Sequence, residues 1–154
     1  MSTTEQANSS QRPRLIVGVG ASAGGLAPLK TLFASVPDDS GLAFVVITHL
    51  HPESESALTE LIGREARIPV QIIEDDLEVA PNNVYVLSPG YTATIYSGRL
   101  QREAIEERDH PPAPINQFLR SLAQDQHEDS VGIVLSGTGT DGTIGVEEVK
   151  GGLG

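Results

Sequence analysis

At 154 residues the chain fits one domain that can bury a sizeable core, with ordinary hydrophobic (38%) and charged (20%) shares. The absence of cysteine excludes disulfides, thiol catalysis and cysteine-ligated metal, and no apolar run is long enough for a membrane-crossing helix, so no membrane insertion is expected. A net charge of −11 argues against nucleic acid as a partner, because phosphate backbones attract Lys and Arg. The polar start carries no basic-then-apolar signal pattern, which agrees with a cytoplasmic location.

Residues 1–13, rich in Ser, Thr, Gln and Asn, read as a disordered tail, and 14–154 as the folded domain. Leu15–Val19 is a short aliphatic strand of the kind buried on both faces of a parallel sheet. Leu26, Leu29, Leu32, Phe33 and Val36 give a helix over 24–36, closed by Pro37-Asp38-Asp39-Ser40-Gly41. Leu42–Thr48 is a second buried strand. A second helix spans Ser54–Ala66, with Ala57, Leu58, Leu61 and Ile62 on its apolar face. Val70–Ile73 and Val84–Leu87 are strands, separated by an acidic turn at Glu74-Asp75-Asp76. Thr92–Tyr96 and Arg99–Glu103 flank Ser97-Gly98, a two-residue hairpin signal and the one clear antiparallel feature. Residues 104–113 read as a loop. Pro114 then opens a helix whose Ile115, Phe118, Leu119, Leu122 and Ala123 fall at i, i+3, i+4, i+7 and i+8. Val131–Leu135 is a third long aliphatic strand, followed by a glycine-rich loop and a helix from near Thr143. Strands alternating with helices predict an α/β fold: a doubly wound, mainly parallel sheet with helices on both faces and one antiparallel hairpin.

In such a sheet, ligands sit outside the carboxyl ends of the strands. Three of these ends carry reactive side chains. Gly20-Ala21-Ser22-Ala23-Gly24 fits G-x-S-x-G, the spacing that exposes a serine hydroxyl on a strand-to-helix elbow. His49 follows the second strand, and Asp141 lies in the loop after the last. These residue types make a relay in which histidine takes the serine proton and aspartate fixes the imidazole tautomer. The order Ser, His, Asp differs from that of the α/β-hydrolases, which place the acid before the histidine.

Each residue also has a structural reading. Ser22 can be a loop serine, His49 can cap the following turn, and Asp141 can be the N-cap of the last helix. Gly18-x-Gly20-x-x-Ala23 has the look of a dinucleotide fingerprint, but the second strand ends in Thr48-His49 with no acid to hold a ribose. His49-x-His51 with Asp75 or Asp76 makes a poor zinc signature, and no metal is assigned. Ser136-Gly137-Thr138-Gly139-Thr140 can cradle an anion through its backbone amides. His110 and His127 read as solvated.

Taken together, Gly20-Ala21-Ser22-Ala23-Gly24-Gly25, Thr48-His49-Leu50-His51-Pro52 and the segment from Gly132 through Leu135-Ser136-Gly137-Thr138-Gly139-Thr140-Asp141-Gly142 resemble the catalytic domain of CheB-type chemotaxis protein-glutamate methylesterases. The resemblance covers about residues 14–150. The segment from Pro114 to Ala123 resembles most the version in hybrid proteins, where the domain precedes a CheR-type methyltransferase and sensor modules. The resemblance implies Ser22 as nucleophile, His49 as general base and Asp141 as orienting acid, with oxyanion and substrate contacts at Ala23, Gly24, Gly137, Thr138 and Gly139. It implies no cofactor. The implied substrates are glutamate methyl esters on the cytoplasmic helices of methyl-accepting chemoreceptors, with glutamine deamidation as a related activity. The implied partners are those receptors and CheR-type methyltransferase or sensor-kinase modules. Thr138 stands where the family commonly has Met, and Thr48 where it commonly has Gln. The family domain continues past the last helix into a further strand and helix, so this chain, ending at Gly154, is expected to lack them. A non-catalytic regulatory or scaffolding module of a hybrid signalling protein is the alternative reading.

Overall fold

The computed structural model describes residues 12–21, 26–48, 55–106, 113–135 and 149–151, with the backbone alone for 55–57. The aliphatic runs become strands β1 (Ile16–Ala21), β2 (Ala43–Thr48), β3 (Val70–Ile72), β5 (Asn83–Val86) and β8 (Ser130–Leu135). They pair in the order β3-β5-β2-β1-β8, and every pairing is parallel. The amphipathic runs become helices α1 (Leu26–Ser35), α2 (Glu55–Glu65) and α3 (Pro114–Gln126). This is the doubly wound α/β fold expected from the alternation.

Strand geometry divides the core in two. Successive side chains point to opposite faces, so a wholly apolar strand feeds both. On β2, Ala43, Val45 and Ile47 join one cluster, while Phe44 and Val46 join the other. The second cluster lies under α1 and α2, with Leu29, Phe33, Leu58 and Ile62 as its helix contributions. There Phe33 meets Phe44 edge-on, ring centres 5.3 Å apart. The first cluster lies under α3, which buries Ile115, Phe118, Leu119, Leu122 and Ala123, the stripe predicted from the sequence. Pro114 occupies the first turn of α3, where its missing N–H has no intrahelical partner to lose.

The hairpin is larger than the sequence suggests. β6 (Tyr91–Tyr96) and β7 (Arg99–Ala104) pair antiparallel, and β4 (Leu77–Glu78) adds a third strand on β7. Two residues are too few to display an alternating pattern, so β4 leaves no periodic signal. It forms because Leu77 lies opposite the fully buried Leu100 and because Arg99 reaches across to Asp76 and Glu78. The Ser97-Gly98 turn has positive φ at both positions (50° and 74°), as a two-residue primed hairpin turn requires. α3 locks this sheet down. The Asp125 carboxylate accepts the Ser97 and Gly98 backbone N–H groups, and the Ser121 hydroxyl oxygen accepts that of Ile95 at 3.1 Å.

Candidate active site

β1 is an interior strand of the sheet, with all six residues buried. Its neighbours are β2 on one side and β8 on the other, in a register that sets Ala21 beside both Thr48 and Leu135. These are the last residues of their strands. Adjacent strands lie about 4.8 Å apart, so the three strand ends span about 10 Å of one edge. Ser22 follows Ala21 directly, His49 follows Thr48 directly, and Asp141 comes six positions after Leu135. The three side chains, and the backbone of Ala23, Gly24, Gly137, Thr138 and Gly139, lie outside the described residues. What the described structure supplies is their anchorage: three adjacent parallel strands that deliver the chain to the same edge.

β1 runs two residues past the expected end at Val19, so Gly20, like Gly18, is a strand residue. Their role is close packing. A Cβ on Gly18 would stand 2.6 Å from Leu119 Cδ2 and 3.2 Å from both Leu122 Cδ2 and Phe118 Cε2. A Cβ on Gly20 would collide with Ile115 Cγ2 and stand 3.0 Å from its Cδ1. Gly132, opposite Gly18 on β8, is different: a Cβ there would make only ordinary contact, 3.4 Å from Val149 Cγ2 and 3.6 Å from Leu119 Cδ2. The seat of α3 thus accounts for the glycines that look like a dinucleotide fingerprint.

The aspartates considered with His49 and His51 are engaged elsewhere. Asp75 Oδ1 accepts the Arg102 backbone N–H at 2.8 Å, and Asp76 Oδ1 accepts Arg99 Nε at 2.8 Å. That bond and the guanidinium charge hold the Asp76 carboxyl below the usual carboxylate range and raise Arg99 in return. His51 and His110 lie outside the described residues, and His127 is exposed, as expected. Burial is the main reason the Tyr85 phenol lies above its ordinary value; its oxygen accepts the Ala80 N–H at 2.8 Å. The described residues also line a cleft of about 480 Å³ between Ile16, Glu78, Ser97, Asp125 and Asp129. Ile16 opens β1, so this cleft sits at the amino edge, away from the strand ends just described.

Sequence reasoning missed one pair at the carboxyl edge. The Arg102 guanidinium lies over the Tyr91 ring, 4.2 Å from its centre. Eleven positions separate the two residues, and only the β6–β7 register, Tyr91 with Ala104 and Ala93 with Arg102, brings them together diagonally.

A doubly wound parallel sheet whose three neighbouring strand ends lead in sequence to a serine, a histidine and a loop bearing an aspartate defines an α/β protein of the class that sets its site at the carboxyl edge. The CheB methylesterase family model matches residues 17–154, and the chain belongs to that family. It is 29% identical over 143 residues to protein-glutamate methylesterase/protein-glutamine glutaminase 1 of Carboxydothermus hydrogenoformans, covering 89% of this chain and 42% of that protein. It is 28% identical over 133 residues to a putative protein-glutamate methylesterase/protein-glutamine glutaminase of Leptospira interrogans, covering 86% of this chain and 69% of that one. An uncharacterized 104.1 kDa protein of Rhodobacter capsulatus is 37% identical over 92 residues, 60% of this chain and 10% of its own length. The chain thus spans less than half of the first of these relatives. The crystal structure of the Thermotoga maritima CheB methylesterase catalytic domain matches with a TM-score of 0.79 and 25% identity, over 91% of this chain and 76% of that one. No helix of the described residues is long and apolar enough to cross a membrane.

Proposed function

We propose that the chain is a serine esterase that hydrolyses glutamate methyl esters on the cytoplasmic helices of chemoreceptors, and glutamine side-chain amides at equivalent sites. Ser22 attacks the ester carbonyl while His49 takes its proton. Asp141 holds the imidazole tautomer and stabilises the imidazolium. The tetrahedral oxyanion is met by backbone amides near Ala23, Gly24 and the Gly137-Thr138-Gly139 loop. Methanol leaves with the proton from His49. A water then attacks the acyl-enzyme through the same histidine, releasing the glutamate carboxylate and free Ser22. The reaction draws on no cofactor.

The observation that carries this reading is the register of Ala21 with Thr48 and Leu135, which starts all three candidate segments from one edge. Family membership and the names of the relatives support the substrate class. The relative in which the matched segment is a tenth of a 104.1 kDa protein supports work alongside fused modules, such as a CheR-type methyltransferase or a sensor kinase. The site of action is the cytoplasm, where such receptor helices lie. The test is covalent labelling of Ser22 by a fluorophosphonate, together with methanol release from methylated receptor. Both are expected to vanish in Ser22→Ala and to fall steeply in His49→Ala. A folded chain that neither labels nor releases methanol would establish the non-catalytic scaffold instead.

A further inference from the structure

Arg102 and Tyr91 make a cation on an aromatic platform that the hydrolytic reading leaves unused. Arg102 lies on the side of the small sheet that faces the main one, opposite the buried Ala93. One Nη donates to the Ile73 carbonyl at 3.3 Å, and its backbone N–H donates to Asp75. Ile73 directly follows β3, and its own N–H donates to the carbonyl of Val86, the last residue of β5. The guanidinium therefore sits at the carboxyl edge of the main sheet, where β3 ends. In the order β3-β5-β2-β1 that is three strand spacings from the end of β1, about 14 Å. Both side chains are half-exposed.

Arg64 and Arg99 face carboxylates at 2.8 to 3.9 Å. Among the described residues, no carboxylate pairs with the Arg102 guanidinium. The ring and the Ile73 carbonyl hold its plane, and among the described residues the guanidinium makes this one hydrogen bond of the five its N–H groups can donate. A chain of net charge −11 repels an acidic partner as a whole, so an oriented cation beside the site has a specific task.

The geometry points to a carboxylate-recognition subsite: Arg102, set on Tyr91, takes an acidic side chain of the substrate helix while another residue of that helix reacts at Ser22. The inference rests on the methylesterase reading. A helix rises about 5.4 Å per turn, so 14 Å corresponds to two to three turns between the recognised acid and the reacting ester. A guanidinium fork favours a carboxylate through two parallel, charge-assisted bonds.

The test compares three substrates of the full chain: a helical peptide with one glutamate methyl ester and a glutamate two to three turns to either side, the same peptide with glutamine at those flanking positions, and a small neutral ester. The wild-type chain is expected to prefer the acidic peptide about 10-fold in kcat/KM, through KM, and raised salt should shrink that preference. Arg102→Gln should level the two peptides and leave the small ester unchanged, and Arg102→Glu should invert the preference. Equal wild-type rates on both peptides would overturn the subsite. So would a parallel fall of all three rates in Arg102→Gln, which would make the residue a strut between the sheets. The wild-type peptide comparison decides even if the variants do not fold. A wild-type chain that hydrolyses the small ester and neither peptide would overturn the substrate reading itself, a failure visible without any Arg102 variant.

Discussion

Replacing Gly20 by alanine tests whether helix packing dictates the glycines before the serine elbow. The new Cβ would overlap Ile115 Cγ2 and press its Cδ1 and Cγ1 at 3.0 and 3.2 Å. Ile115 is β-branched and sits in the first turn of α3, so its χ1 cannot swing aside freely. Overpacking of this kind costs about 1–3 kcal/mol, offset by about 0.5–1 kcal/mol because alanine loses less backbone entropy than glycine in a strand. The expected net is a destabilisation of about 1 kcal/mol, or about 2–4 °C in Tm for a chain of this size. Gly18→Ala should cost less, because the atom it meets most closely is the flexible tip of Leu119. The decisive measurement is a double-mutant cycle by urea denaturation. Ile115→Ala alone should cost about 2–5 kcal/mol as a buried large-to-small change. In that background the Gly20 methyl enters vacated space and should be neutral or slightly stabilising, a coupling of about 1–2 kcal/mol. If Gly20→Ala costs the same in both backgrounds to within about 0.5 kcal/mol, the close seat of α3 is not what requires glycine there.

Two further outcomes follow from bonds away from the site. Asp125→Ala removes the acceptor for two turn N–H groups and should cost about 1–3 kcal/mol, with amide exchange accelerating at Ser97 and Gly98 first; unchanged exchange there would show that the turn holds without α3. Tyr85 should make stability fall in alkali. Burial raises its folded-state value above the ordinary 10.0, so the folded state keeps a proton that the unfolded chain releases. That contribution is complete below about pH 10 and is lost as pH climbs toward the folded-state value. Tyr85→Phe should lower stability at neutral pH by about 1 kcal/mol through the lost hydroxyl bonds and flatten the decline above pH 10; equal slopes in denaturation series from pH 8 to 11 would refute this.

The sequence is most readable where one rule acts alone. β1, β2 and β5 show as aliphatic runs because an interior parallel strand must be apolar on both faces, and β8, at the edge of the described sheet, carries the same aliphatic pattern. α3 shows because its buried stripe keeps strict helical spacing. Reading fails where tertiary contact decides. Gly20 looks like the start of a turn, yet it belongs to β1, where a helix lies against it. β4 exists only as a complement to β7. The Tyr91–Arg102 pair depends on hairpin register, which no local pattern encodes. Of the candidate site, the common edge is legible in both sequence and fold, whereas the proposed triad lies in segments beyond the strand ends, whose course no strand pattern sets.

The order Ser, His, Asp along the chain follows from how this sheet is wound. Parallel strands need crossovers, and crossovers are right-handed, so the direction of travel across the sheet decides which face receives the helix. From β1 the chain moves outward through β2 toward β3, and α1 and α2 bury their side chains in one cluster. It then returns past β5 and the small sheet to β8 on the far side of β1, and α3 packs on the opposite cluster. The direction of winding therefore reverses at β1, and at such a reversal the helices diverge and leave a crevice at the carboxyl ends of the strands. The first strand, the next and the last thus come side by side, while their loops stay far apart in sequence. In the proposed triad the nucleophile follows β1, its base follows β2, the next strand wound, and its acid lies in the loop after β8, the last. This order is a consequence of the topology, and it sets the arrangement apart from hydrolases with another winding.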